Sequence, residues 1–257
     1  MILVTGATGT IGSALVEVLA AAGEPVRAMA RRRVAMPPGG ELVHGDYADA
    51  ESLRAAAEGV DAAFLLDAAG PSAPKHDLAF LAAAGDVGRI VKLSAFGIDS
   101  GLAPWHEPGE EAVRATKDWT ILRPSVFASN ALGWRPQIDA GDPIPNPTGD
   151  GRLGVIDPRD IAEVAAAALT GRISGLYTLT GPEALSTAEQ VDVLADVLGR
   201  PLAVADVDAS EPGFAFVRAG QGAVVTDDVP RILGRPARTF RTWATECFTQ
   251  QSRSSGD

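Results

Sequence analysis

The chain has 257 residues, enough for one large α/β domain or for a nucleotide-binding domain carrying a smaller lobe. With 22 basic against 33 acidic side chains its formal charge is −11, which suits a soluble protein, repels phosphate backbones and excludes nucleic acid as a partner. No run of about 18 apolar residues is available to span a membrane, and a lone Cys247 with three histidines at no metal-ligand spacing excludes an internal disulfide and a metal site.

Short apolar runs at residues 2–4, 26–30, 41–43, 62–66, 90–93 and 120–122 alternate with helical stretches at 11–22, 51–57, 75–84 and 110–115. That alternation predicts a doubly wound parallel sheet covered by helices on both faces. No basic leader precedes the first run, so the expected compartment is the cytoplasm. Residues 133–154, rich in Pro and Gly, read as a long loop. Farther on, Asp157-Pro158-Arg159-Asp160 places a capping acid before a proline at the first helical position. Ser186-Thr187-Ala188-Glu189 has the spacing of a capping box. Strands are expected near 176–179 and 202–204. The expected organisation is a core over 1–125, an interleaved C-terminal lobe over 126–250 and a frayed tail over 251–257.

The first loop carries the strongest signal. Gly6-Ala7-Thr8-Gly9-Thr10-Ile11-Gly12 follows the first strand directly and opens a helix. Gly6 makes the tight turn, Gly9 admits a pyrophosphate to the backbone, and Gly12 lets the helix pack close to the sheet. The helix N-terminus then offers free N–H groups to the diphosphate. All seven residues are therefore candidate cofactor contacts on a Rossmann-type fold. At the tip of the second strand an NAD site would carry an acid that holds the ribose hydroxyls. This chain has Arg31-Arg32-Arg33 instead. A guanidinium accepts a 2′-phosphate that a carboxylate would repel, so Arg31 and Arg32 point to NADP(H). Asp46, in Gly45-Asp46-Tyr47 after the third strand, either accepts from the adenine amino group or caps the following helix. Tyr47, Leu66 and Asp67 stand at the same strand edges and complete the adenosine side.

Val4-Thr5-Gly6-Ala7-Thr8-Gly9-Thr10-Ile11-Gly12, Gly45-Asp46-Tyr47, Lys92-Leu93-Ser94-Ala95 and Thr120-Ile121-Leu122-Arg123-Pro124 resemble the short-chain dehydrogenase/reductase superfamily. They are most similar to its atypical NmrA-like branch, which includes quinone-oxidoreductase-like and isoflavone-reductase-like proteins. The resemblance runs from residue 1 to about residue 245 and takes in Gly234-Arg235-Pro236. It implies NAD(P)H at the carboxyl ends of the strands, with Pro124 beside the nicotinamide and a substrate-side lobe.

Typical members of that superfamily use a Tyr-x-x-x-Lys pair. Here four residues beyond the two tyrosines, Tyr47 and Tyr177, stand Glu51 and Gly181, so the pair is absent. His106 and Glu110 stand near its expected place. Either His106 donates a proton with Glu110 orienting it, or Pro108 starts a helix whose dipole Glu110 and Glu111 complement. Ser94, after the fifth strand, is the second catalytic candidate and also a candidate contact for the cofactor ribose. Arg123 reads as a buried structural arginine. Phe96, Trp105, Phe127 and Trp134 in loops after strands, with Asn130 as a polar anchor, divide evenly between core and an apolar substrate pocket. The expected activity is NADPH-dependent reduction of a flat apolar acceptor, such as a quinone or aromatic ketone, by a monomer or homodimer. A non-catalytic NADP(H) sensor, and an isomerase, lyase or accessory biosynthetic enzyme on the same fold, are the rivals.

Overall fold

A strand covered on both faces is largely apolar, and residues 2–4, 62–65 and 90–93 are buried at every position, with Lys92 the one charged side chain among them. A computed structural model describes residues 1–66, 70–85 and 87–249 of the chain. Its strands are β1 (Ile2–Val4), β2 (Val26–Ala30), β3 (Gly40–His44), β4 (Ala62–Leu65), β5 (Arg89–Leu93), β6 (Trp119–Pro124), β7 (Ile144–Asn146), β8 (Arg152–Gly154), β9 (Gly175–Leu179), β10 (Ala184–Ser186) and β11 (Val204–Asp206). Its helices are α1 (Thr10–Ala21), α2 (Ala50–Ala57), α3 (Ala73–Ala84), α4 (Glu107–Arg114), α5 (Arg135–Ala140), α6 (Pro158–Leu169), α7 (Thr187–Leu198), α8 (Pro212–Arg218), α9 (Asp228–Leu233) and α10 (Phe240–Thr249). None of these helices is long and apolar enough to cross a membrane.

Seven strands form one sheet in the order β3-β2-β1-β4-β5-β6-β9. Val4 pairs in parallel with Ala28 on one side and Phe64 on the other, so the strand order reverses direction at β1. Ligands of doubly wound sheets bind beyond the carboxyl ends of the strands at such a switch point. The glycine loop leaves β1 there.

The chain divides into two compact units. The first comprises Met1–Pro124 and Ile161–Thr178, and the second Ser125–Asp160 with the chain from Leu179 onward. In the first, α1 buries Ile11, Leu15 and Leu19, one stripe at helical spacing. Leu3, Met29, Leu53, Phe80, Ile90 and Ile121 join strands and helices in one cluster. Full burial of each such side chain contributes about 1.5–3 kcal/mol. The second unit has its own core, in which Ile138, Ile144, Leu185, Leu194, Phe240 and Trp243 meet. Its strands form two pairs, β7 with β11 and β8 with β10.

Residues 133–154, expected as a loop, contain α5, β7 and β8. Pro136 lies in the first turn of α5, where its missing N–H costs nothing, so the proline starts a helix there. The capping box at Ser186 is present in full, with Glu189 N–H donating to Ser186 Oγ at 3.2 Å and Ser186 N–H to Glu189 Oε2 at 2.9 Å. Asp157 accepts the Arg159 N–H at 2.9 Å as the first acid of α6. The second acid, Asp160, is fully buried and binds Arg235 Nη2 at 2.7 Å and the Arg238 N–H at 2.7 Å. The strand expected at 202–204 is β11, two residues later.

Candidate dinucleotide site

Gly6 has φ +61°, a conformation that an L side chain disfavours, and its carbonyl accepts the Gly9 N–H at 3.0 Å. A Cβ on Gly12 would overlap that same carbonyl, so Gly12 sets how closely α1 approaches the loop. Gly9 differs from both. A Cβ there would meet only the Gly6 oxygen, at 3.4 Å, and otherwise enter open space. Gly9 is also the N-cap of α1, and among the described residues no side chain caps that helix. Its leading N–H groups and the positive end of its dipole therefore face a space that only a glycine leaves open, which fits a diphosphate. Thr5, fully buried, ties the loop to the next strand. Its Oγ donates to Phe64 O at 2.9 Å and accepts the Leu66 N–H at 2.9 Å.

A cavity of about 760 Å³ opens beside the loop. Gly6, Thr8 and Gly9 form one wall, Met29, Ala30 and Arg31 a second, and Gly45 to Ala48 a third. Leu66, Lys75 and His76 complete it. That volume lies within the range of roughly 300–1,000 Å³ typical of small-molecule sites. β2 ends at Ala30, so Arg31 is the first residue beyond the strand and reaches the cavity. Arg32 and Arg33 are exposed and lie outside its wall. Within the loop, Ala7, Ile11 and Gly12 are buried and Thr8 and Thr10 exposed.

Of the two readings of Asp46, helix capping belongs to another residue. Asp49 caps α2 by accepting from the N–H groups of Glu51 at 3.0 Å and Ser52 at 3.3 Å. Asp46 lines the cavity, and its Oδ1 accepts the Ala48 N–H at 2.9 Å in a tight turn. The Tyr47 ring stacks on His76, with centroids 4.7 Å apart and planes 4° from parallel, and its hydroxyl donates to Leu66 O at 3.3 Å. Lys75 and His76 were not among the sequence candidates. The strand–loop–helix position of α3 was readable, but no motif marks its first turn. Asp67 lies outside the described residues.

The catalytic candidates occupy a second cluster of the same unit. Ser94, after β5, is buried and donates to Glu110 Oε1 at 2.6 Å. Glu110 is almost fully buried and also receives Arg123 Nε at 2.9 Å, Arg123 Nη2 at 2.7 Å and Arg114 Nη2 at 2.7 Å. Burial pushes this carboxyl up, but the hydrogen bonds from Arg123 and Ser94, the Arg123 charge and the Arg114 bond outweigh it and hold it below the usual range. Arg123 binds Asp99 Oδ2 at 2.7 Å with its remaining amine, which makes it the buried structural arginine expected. Lys92 and Asp77 form a buried pair at 2.5 Å, and a Cβ on Gly109 would strike the Asp77 carboxylate.

His106 flanks α4 with near-helical φ and ψ, −82° and −20°, and its ring tilts 42° against Trp105 at 6.2 Å. Pro108 is accommodated in the first turn, so α4 starts at Glu107 rather than at 110. Glu110, expected either to orient His106 or to complement the dipole, holds four hydrogen bonds from Ser94, Arg123 and Arg114.

The aromatic candidates fall into separate units. Phe96 and Trp105, both half-buried, belong to the first, where the Phe96 N–H donates to Pro124 O at 3.0 Å. In the second, Phe127 bridges Ile156, Asn130 is exposed, and Trp134 packs against the local core.

A parallel sheet with an uncapped, glycine-cornered helix beside a cation-bearing cavity defines a dinucleotide-binding protein. The chain belongs to the NAD(P)H-binding family whose model matches residues 6–172, in its NmrA-like, atypical short-chain branch. It is 39% identical to a (4-alkanoyl-5-oxo-2,5-dihydrofuran-3-yl)methyl phosphate reductase of Streptomyces griseus, over 96% of this chain and 97% of that protein. It is 33% identical to an NAD(P)H azoreductase of Xenophilus azovorans, over 95% and 96%. Its fold is similar to that of the NADPH-dependent quinone oxidoreductase QOR2 of Escherichia coli complexed with NADPH, with a TM-score of 0.82 at 21% identity over 97% of this chain and 100% of the other. The chain is an oxidoreductase that uses NAD(P)H.

Proposed function

We propose that the chain is an NADPH-dependent reductase of flat, apolar, electron-poor acceptors, with quinones ahead of aromatic ketones. The observation that carries this reading is where the hydroxyl protons go. Tyr47 donates to Leu66 O, Tyr177 to Ser174 O at 2.9 Å, and Ser94 to a carboxylate. Reducing an isolated carbonyl builds charge on one oxygen and calls for a proton donor beside it. A quinone spreads that charge over its conjugated system and needs little help. The names of the azoreductase and the dihydrofuranone phosphate reductase point to conjugated acceptors as well.

Bound NADPH supplies the hydride when an acceptor lies against it. The chain's own part is to seat the diphosphate on α1, hold the adenosine side between Arg31, Asp46 and Tyr47, and position the acceptor. Phe96 and Trp105 are the proposed acceptor contacts, and Ser94 and Pro124 of the same unit the proposed contacts on the nicotinamide side. Ser94, with its proton committed, serves as a hydrogen-bond acceptor there. His106 is the proposed source of the closing proton.

Anaerobic stopped-flow of NADPH oxidation against quinones, azo compounds and aromatic ketones tests the reading. Quinones or azo compounds are expected to react fastest. Tight NADPH binding with no oxidation by any acceptor would overturn it in favour of a cofactor sensor. His106→Phe keeps a planar ring but removes the proton, so the rate with aromatic ketones should fall about 10²- to 10⁴-fold and that with quinones much less, with NADPH affinity within about twofold. An unchanged rate and pH profile would remove His106 from the mechanism.

A further inference from the structure

The adenosine-side cavity has a second cationic wall, built by a helix other than the one that follows the glycine loop. Arg31 enters it from the end of β2, and Lys75 from the first turn of α3. Neither forms an ion pair with any described residue, and both face the one cavity. The described acid in the wall is Asp46, and one of its oxygens already holds the Ala48 N–H. In a chain with a net charge of −11, two unpaired cations on one concave surface make a local reversal of sign. Lys75 is also badly placed for its own helix. The first turn of α3 contains no acid, and its capping residue, Ser72, makes no side-chain bond. A cation there opposes the helix dipole unless an anion lies beside it.

The position of Lys75 is fixed through its neighbour. His76 stacks flat on Tyr47, and Tyr47 is anchored to Leu66 O, so the first turn of α3 is held against the exit of β3. The cavity thus sees two phosphate-sized demands from two directions. The uncapped α1 with Gly9 suits a diphosphate, which leaves Arg31 and Lys75 for a further one.

We propose that Lys75 and Arg31 together grip the 2′-phosphate of the cofactor, so that the preference for NADP(H) comes from α3 as much as from the arginine run after β2. This rests on the NADPH reading given above. Lys75 is a point charge where Arg31 is a fork, so Lys75 contributes attraction and Arg31 geometry.

The test is equilibrium titration of the full chain with NADP⁺, NAD⁺, 2′,5′-ADP and 5′-ADP, read calorimetrically without turnover. For Lys75→Gln, affinity for NADP⁺ and 2′,5′-ADP should fall about tenfold, with NAD⁺ and 5′-ADP within about twofold. Lys75→Arg should restore most of the loss, and added salt should reduce the wild-type preference more than that of Lys75→Gln. Equal weakening of NADP⁺ and NAD⁺ would place Lys75 on the diphosphate and overturn the proposal, as would no change at all. Should Arg31→Gln abolish the preference while Lys75→Gln leaves it intact, the NADPH reading stands and this one fails. A wild-type chain that binds NADP⁺ and NAD⁺ equally would overturn both.

Discussion

The cavity beside the glycine loop and the Ser94–Glu110–Arg123 cluster both stand at carboxyl ends of strands in the same parallel sheet, and they are finished in opposite ways. In the cluster one buried carboxylate takes four hydrogen bonds, and its guanidinium partner is occupied on every face that the fold supplies. In the cavity, among the described residues, a helix start lacks a side-chain cap and two cations lack ion-pair partners. Burial makes an unmet polar group expensive, so the cluster is saturated. An open wall tolerates unmet groups because water serves them until a ligand does. A residue's chemistry alone therefore does not mark it as functional. Glu110 has the charge and position of a catalytic group, yet its bonds are those of a keystone.

Breaking the cluster should cost most. Glu110→Ala leaves Arg123 buried beside an empty position, and stability should fall by about 3–5 kcal/mol, seen in urea denaturation. A loss below about 1 kcal/mol would show that the cluster is not saturated as described.

Gly9→Val tests the open side. Its branched side chain fills the space at the start of α1, so NADPH affinity should fall at least about a hundredfold, or about 2.7 kcal/mol. Circular dichroism and the melting temperature should stay near wild type, because among the described residues a Cβ there meets only the Gly6 oxygen, at 3.4 Å. Retained binding would put the phosphates elsewhere.

Arg31→Ala is smaller. The preference for NADPH over NADH should drop about tenfold with NADH affinity within about twofold, measured by cofactor fluorescence. Arg32→Ala, outside the cavity wall, should change the preference less. The reverse order would interchange the two roles.

The smallest effect is in acid. The Glu110 carboxyl is held below its ordinary value of 4.5, so its bonds stabilise the fold above that pH, and the stabilisation is lost as pH falls through the depressed value. Wild type should exceed Glu110→Gln in stability at neutral pH, and the gap should close by at most about 1.4 kcal/mol per pH unit below 4.5. A gap independent of pH would mean that the carboxyl titrates normally.

Much of this was legible in the sequence. The β2 boundaries were legible because Pro25 stands directly before the run and three arginines directly follow it. The glycine loop was legible because each glycine answers a different steric demand, and Arg31 because the end of β2 fixes which arginine comes first. Asp46 was ambiguous because a second aspartate, Asp49, stands three residues on and either one suits a helix cap. Lys75 and His76 went unread because their meaning lies in what they face, and Tyr47 is far away in sequence. For Glu110 the sequence offered either a helper of His106 or a complement to the helix dipole, because spacing along a helix shows neighbours on that helix, whereas its partners Ser94 and Arg123 come from the ends of β5 and β6.

β9 lies beside β6 in the sheet, although residues 125–174 separate them in the chain. Within that excursion, residues 125–160 belong to the second unit. The entropy of closing such an excursion grows only with the logarithm of its length, about 0.6 kcal/mol per doubling. Insertions or deletions of several residues between β6 and α6 therefore alter the cost of completing the sheet by less than a single hydrogen bond contributes. Over evolutionary time, the segment that carries Phe127, Asn130 and Trp134 is free to change length and shape while β1 to β6 keep the same seat for the nucleotide. That segment can be remodelled in such a lineage without the nucleotide site being reinvented.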